Sequence, residues 1–314
     1  MPSRKKPPAA AAIDLALQGG GSHGAFTWGV LDRLLEDESL AFDGVSGTSA
    51  GALNAAVMAT GLAEGGREGA RAALRAFWHD VATHSAQGSP CFGQWAAACG
   101  GWPSGWPGGW PGVVPGVLPG GWLGMEPPGL ERFNLDNNPI HAWSQHFLRL
   151  FSPCQFNPLR EVVQRHVRPA ALKNGPLSLF ITAASVRTGQ PRVFEREVLG
   201  SAIAIDALLA SACLPQMFRA VHIEGEAYWA GGYSGNPALW PLIHDTLALD
   251  MLLVKIKPLV REAVPDTPAE IADRVNEITF GRRSTLDLQQ FLAPRSPSNS
   301  HSPHSPHRPA GTGG

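Results

Sequence analysis

An α/β fold built around a mostly parallel sheet is what this sequence predicts, and three observations carry the prediction. First, the short apolar run Ile13–Gln18 reads as a strand and leads straight into Gly19-Gly20-Gly21-Ser22-His23-Gly24, after which Ala25–Glu36 carries Phe26, Val30, Leu31, Leu34 and Leu35 at helical spacing. Second, Phe42–Ser46 reads as a buried strand that runs into Gly47-Thr48-Ser49-Ala50-Gly51 and then into Ala52–Ala59, a run of helix formers. Third, 314 residues with 44% hydrophobic content can bury a substantial core, which excludes a wholly disordered chain. Two successive strand, glycine turn and helix units bring both turns to one edge of a parallel sheet, the place where open α/β folds bind ligands.

Each turn has its own chemistry. Gly47-Thr48-Ser49-Ala50-Gly51 fits G-x-S-x-G, in which a serine sits on a sharp strand-to-helix turn flanked by small residues that let the turn close. The glycine-rich loop before the first helix offers backbone N–H groups at a helix N-terminus, where negative charge is stabilised. Such a loop holds a phosphate or a developing oxyanion, and two readings compete for it. Gly19, Gly21 and Gly24 match the dinucleotide fingerprint G-x-G-x-x-G, with Asp43 as the ribose-binding acid. That acid belongs at the end of a second strand, however, whereas Asp43 begins one. In the other reading the loop, Gly19 to Gly24, is an oxyanion hole serving Ser49, with donors from Gly20, Gly21 and Ser22 together with Ala50 at the start of the next helix.

Downstream, Ala70–Ala82 reads as a helix, and Gly100–Gly124 repeats Gly-Trp-Pro at a proline and glycine density that excludes helix and central strand. Tryptophan favours membrane interfaces, so this insertion, 88–130, is either a lipid-touching loop or a tandem expansion without a role. Phe147–Phe151 reads as a helix end and Asn157–Val163 as a new helix start. Leu177–Ala184 reads as a buried strand turning at Thr188-Gly189-Gln190 into Arg192–Phe194, and Ile203–Ala212 as a helix of small residues. A hairpin about Gly225 joins Val221 to Trp229, Asp250–Ile256 is a further strand, and Ile271–Phe280 a helix. Residues 286–314, rich in Ser, Pro, His and Gly, cannot bury a core and are expected to be disordered, as is the flexible segment 1–12.

A net charge of −1 gives no electrostatic case for nucleic acid. Cys91, Cys99, Cys154 and Cys213 lack zinc-ligand spacing, which suits a reducing, cytoplasmic setting and implies no metal. Asp14 interrupts the only apolar run near the start, so no secretory signal is read there, and no stretch approaches the ~18 apolar residues of a membrane span. Membrane contact, if any, is expected to be peripheral.

The N-terminal strand, Gly19–Gly24 and Gly47-Thr48-Ser49-Ala50-Gly51-Ala52-Leu53-Asn54-Ala55-Ala56 together resemble the patatin-like phospholipase family, as does Ala207–Pro215. The resemblance covers a domain at 13–285 apart from the insertion. It implies a three-layer α/β/α sandwich, a lipid acyl hydrolase acting on a lipid or fatty acyl ester without a cofactor, and a Ser–Asp dyad in place of a Ser–His–Asp triad. In the family the glycine loop carries Arg or Lys where this chain has His23. The dyad Asp belongs to an Asp-Gly-Gly motif, and here Gly231 and Gly232 follow Ala230. Alanine cannot take a proton. Three accounts are compatible with the sequence: an introduced Asp→Ala change, a natural member that binds lipid without turnover, or a substitute base among Glu226, Asp206, Asp245, His222 and His244. A Ser–His–Asp hydrolase using Asp206 with His222 or His244 satisfies chain order formally.

Overall fold

Apolar residues on alternate positions of the predicted strands need cover on both faces, and the fold supplies it unequally. In the computed structural model, residues 11–86 and 157–281 are described, except 158, 216, 217, 259, 268, 269, 272, 273 and 276. The Trp-Pro-Gly insertion, the helix end at Phe147–Phe151 and the Ser/Pro/His-rich tail lie outside the described residues. Seven described strands form one sheet: β1 Ala11–Leu17, β2 Leu40–Thr48, β3 Ser178–Ser185, β4 Pro191–Phe194, β5 Val221–Ile223, β6 Glu226–Ala230 and β7 Asp250–Val254. Strands β7, β1, β2 and β3 lie side by side and parallel. Strands β4 and β6 pair antiparallel with β3, and β5 pairs antiparallel with β6. Five of the seven strands therefore point the same way, in a mixed, mostly parallel sheet.

Among the described residues the sheet is accompanied by α1 Gly24–Glu36, α2 Ala50–Ala86, α3 Leu159–His166, α4 Pro169–Asn174, α5 Arg196–Leu199, α6 Ala204–Ser211 and α7 Trp240–His244. Leu15, Leu17, Val45, Leu179 and Ile181 enter one large core with α1, α2, α3 and α6. Ala16 and Phe180, of opposite parity, meet Leu239 and Leu242 in a much smaller cluster around α7. A thick helical layer thus covers one face and a thin one the other.

The separate helix expected at Ala70–Ala82 is present as the second of two helical arms within α2, which breaks at Gly65 and Gly66. Backbone φ of −147° at Gly65 and +62° at Gly66 reverses the chain. The two arms touch so closely that a Cβ on Gly61 would lie 2.5 Å from Ala70 Cα. Arg71 on the returning arm ties α2 to α1 through Asp32 at 3.0 Å and Glu36 at 2.8 Å. The hairpin expected about Gly225 is present: Glu224 and Gly225 both have positive φ, as a two-residue turn between right-twisted strands requires.

Candidate active site

Ser49 stands where β2 ends and α2 begins. Its φ of +54° lies in the left-handed region, at a cost of about 1–2 kcal/mol for a non-glycine residue. Tight packing beneath it explains how that conformation is kept. A Cβ on Gly51 would fall 2.2 Å from Leu17 O, so only glycine lets α2 approach β1 here. The Ser49 carbonyl accepts the Leu53 N–H at 3.0 Å, the first turn of α2. Its N–H goes to Ser211 Oγ at 2.9 Å, and Ser211 in turn donates to the Thr182 carbonyl at 2.6 Å. Ser211 is fully buried at the end of α6 and joins the elbow to β3.

The glycine-rich turn converges on this elbow, as the two strand–helix units require. A Cβ on Gly19 would stand 2.9 Å from Ser49 Cβ and 2.7 Å from Thr48 O. Not all seven residues assigned to the oxyanion hole keep a free N–H. That of Gly19 is donated to Asn236 Oδ1 at 2.7 Å, that of His23 to Gly20 O at 3.2 Å, and that of Gly24 to the carbonyls of Gly21 and Ser22. Those three residues shape the turn, because the short helical turn Gly21–His23 consumes their donors. Among the described residues, the N–H groups of Gly20, Gly21, Ser22 and Ala50 have no hydrogen-bond partner. His23 is exposed, with Nδ1 3.2 Å from Gly20 O.

Asn54 locks the two turns together. Its Nδ2 donates to Gly24 O at 3.0 Å and Ala50 O at 3.1 Å, and its Oδ1 accepts the Trp78 indole N–H at 2.9 Å. All of this is buried. Asn54, Ser211 and Asn236 are site residues that sequence reasoning did not assign. The available signal for the first two was a lone polar side chain within an apolar helix.

Ala230 closes β6 at the same corner. Ala183 pairs with Arg192 on one edge and Ala230 on the other, while Thr182 pairs with Val193 and Thr48. Strand β4 occupies one edge of β3 throughout. It follows that β6 takes up the opposite edge one residue beyond the point where β2 turns away at Ser49. A Cβ on Gly231 would lie 2.0 Å from Thr182 O and 3.1 Å from Thr48 Cγ2, which confirms the proximity. Ala230 itself is 2% exposed, and its N–H donates to Cys213 O at 2.7 Å. Burial pushes the Cys213 thiol up to about 11.

The other titratable groups considered from sequence are committed or turned elsewhere. Glu226 is paired with Arg187 at 2.9 Å, which holds its carboxyl below the usual range, and Asp206 is paired with Arg160 at 2.5 Å. His222 is exposed on β5. His244 and Asp245 are exposed at the end of α7, and the adjacent Thr246 packs on Gly44, five residues before Ser49 and roughly 16 Å away along the strand. Among the described residues no hydrogen bond joins Ser49 to His222 or His244, or Asp206 to either histidine, although Asp206 and His222 line one pocket. Asp43 is no ribose-binding acid either: its Oδ2 accepts the N–H groups of Leu247 at 2.6 Å and Ala248 at 3.0 Å, at the far end of β2 from the glycine turn. Among the described residues no cluster of three or more His, Cys, Asp or Glu could hold a metal ion, and no helix is long and apolar enough to cross a membrane.

The profile of one family, Patatin-like phospholipase, matches residues 15–243, more than half of the chain. No curated protein matches at a significant level. Among solved structures, VipD from Legionella pneumophila aligns with a TM-score of 0.35 and 12% identity, over 70% of this chain. The chain spans 46% of that protein's length. With the elbow, the glycine turn and the Ala230 corner all falling inside the matched region, the chain belongs to the patatin-like phospholipase family, whose members are lipid acyl hydrolases.

Proposed function

We propose that this chain is built as a lipid acyl hydrolase in which Ser49 Oγ attacks the carbonyl carbon of a fatty acyl ester. Supporting this reading most directly is the approach of Gly19 to Ser49, which sets a row of unpartnered backbone N–H groups beside a serine on a strained elbow. As the tetrahedral adduct forms, the carbonyl oxygen gains negative charge, and the N–H groups of Gly20, Gly21, Ser22 and Ala50 are the donors for it. A well-aimed donor of this kind contributes about 3–4 kcal/mol to the transition state. Collapse of the adduct expels the alcohol and leaves an acyl-serine, which water then hydrolyses by the same route.

A base must take the Ser49 proton in the first step and return it to the leaving alcohol. Position 230 is where that group belongs in the family, and a buried methyl stands there. General acid–base assistance accounts for roughly 10²–10⁴ in rate, so turnover by this chain is expected to be slower by that factor. The same methyl favours a second reading, a lipid-binding module that does not turn its ligand over.

Short-chain ester hydrolysis separates the two. Ala230→Asp is expected to raise the rate by roughly 10²–10⁴, and adding Ser49→Ala is expected to abolish the gain. No Ser49-dependent gain from Ala230→Asp would refute the dyad. Labelling of Ser49 in the unaltered chain by a fluorophosphonate probe would show residual activation, which the binding-module reading does not allow.

A further inference from the structure

The family match ends at residue 243, yet three groups beyond it bear directly on the glycine turn. Strand β7 pairs with β1 along its length, and Val254 O receives the Gln18 N–H at 3.1 Å. Gln18 Oε1 then accepts the N–H groups of Ile256 at 2.8 Å and Lys257 at 3.0 Å. Ile256 covers one side of the turn, since a Cβ on Gly20 would lie 3.1 Å from its side chain. The third group is Phe280, and it acts on the other side through Asn236.

Asn236 is 1% exposed and uses both ends of its carboxamide. Oδ1 accepts the Gly19 N–H at 2.7 Å, and Nδ2 donates to Phe280 O at 2.8 Å. A backbone donor on one side and a backbone acceptor on the other fix the amide orientation, and no aliphatic side chain satisfies either partner. The Phe280 ring presses on the residues after Ala230: it meets Tyr233 edge-on with centroids 4.9 Å apart, and a Cβ on Gly232 would lie 2.6 Å from its Cδ1. One contact chain thus runs from Phe280 through Asn236 to Gly19, and Gly19 touches Ser49.

We propose that Asn236 is a positioning residue for the oxyanion turn, and that Phe280 belongs to the active site as the clamp that holds Asn236 in place. The inference rests on the acyl-hydrolase reading for its kinetic consequence, but its structural part does not. By engaging the Gly19 N–H from outside the turn, Asn236 sets the direction in which the next two N–H groups, those of Gly20 and Gly21, point. Loss of that hydrogen bond leaves a buried donor unpaired and frees the turn to rotate its amides away from the oxyanion.

Two measurements test this on Asn236→Ala and Phe280→Ala. Hydrogen exchange read on peptides covering residues 15–30 is expected to show the turn amides exchanging about tenfold faster in Asn236→Ala, with β3 and the Asn54 end of α2 unchanged. Phe280→Ala, which keeps the backbone carbonyl but removes the ring, is expected to give a smaller change in the same peptides. In the Ala230→Asp background, Asn236→Ala is expected to lower kcat at least tenfold with KM held within about twofold, the mark of an interaction made in the transition state. Exchange and kcat both unchanged would overturn the proposal. So would a uniform rise in exchange across β1, β3 and α2, which would make Asn236 an ordinary core residue, or a rise in KM with kcat held. Should Ala230→Asp itself be inactive, the acyl-hydrolase reading falls while the exchange result still decides the position of the turn.

Discussion

The Ser49 elbow and the Ala230 corner are held by contacts of the same kind, and they differ in the side chain presented, a serine hydroxyl at one and a buried methyl at the other. At the elbow a strained serine is pinned through its N–H to Ser211 and through its helix to Asn54. At the corner Ala230 is pinned through its N–H to Cys213 O, with Gly231 against Thr182 and Asn236 reaching back to Gly19. Every one of those corner contacts uses backbone or a neighbouring side chain, and none uses the side chain of residue 230. The corner's shape is therefore independent of its chemistry. At the elbow the two are inseparable, because on the proposed reading the turn that sets Ser49 also sets the Ala50 N–H.

That difference is sharpened by exchanging one methyl at each place. Gly51→Ala pushes a Cβ to 2.2 Å from the backbone oxygen of Leu17, which cannot move aside as a side chain could, and is expected to destabilise the fold by about 3 kcal/mol or more in denaturant melts. Ala230→Gly removes a methyl from a strand end and is expected to cost about 1 kcal/mol. Equal effects would break the comparison, because they would mean that the corner is as shape-critical as the elbow.

Next in size is Ser211→Ala, which strips the acceptor from Ser49 N–H and the donor from Thr182 O together. A loss of about 1–3 kcal/mol is expected in the same melts. In the Ala230→Asp background a drop in kcat beyond what the stability loss explains is expected, because the strained φ of Ser49 is held partly through that bond. Rescue by Ser211→Thr, which keeps the hydroxyl, would assign the effect to the hydrogen bond rather than to packing.

Legibility in the sequence followed the range of the forces involved. The elbow and the glycine turn could be read because a strand, a tight turn and a helix N-terminus each impose demands on adjacent residues. The hairpin at Glu224-Gly225 was readable for the same reason. The second arm of α2 was readable as a helix of its own, but its close return onto the first arm at Gly61 and Ala70 was not, because that contact exists only once the chain has turned at Gly65-Gly66. Ser211 lies 162 residues from Ser49 and Asn236 lies 217 from Gly19. Their roles arise only once the sheet has assembled, so no local pattern announces them. That Ala230 stands where the family motif has an acid could be read only by resemblance, whereas its burial beside β3 is a product of topology.

Cys213 offers a gentler probe of the corner. Its thiol donates to Arg219 O at 3.2 Å, its carbonyl holds the Ala230 N–H, and burial raises it to about 11 from an ordinary value of 9.0. At pH 8 the thiolate is scarce, so alkylation at Cys213 in the native protein is expected to be at least about 10²-fold slower than at a model thiol, read by peptide mapping. Rapid native-state labelling would show that the corner opens on its own and is looser than the elbow.

Smallest of all is the expected effect of Glu226→Gln, and its value lies in being small. Glu226 is the carboxylate nearest in sequence to Ala230, but it lies four residues back along β6, roughly 13 Å of strand, and faces Arg187 and Ser185. Arg187 first, then Ser185, hold its carboxyl below the ordinary value of 4.5. A carboxylate depressed in this way stabilises the fold above that value and loses the contribution as pH falls through its lower folded value, so Glu226→Gln alters only the acid limb of a stability profile. Arg187 is 78% exposed, so solvent screens the pair and even that change is slight. Residual esterase activity of the unaltered chain is expected to stay within about twofold in Glu226→Gln at neutral pH. A large loss would mean that a substitute base reaches the elbow after all, and the two regions would then differ in where their chemistry is carried rather than in whether one of them has lost it.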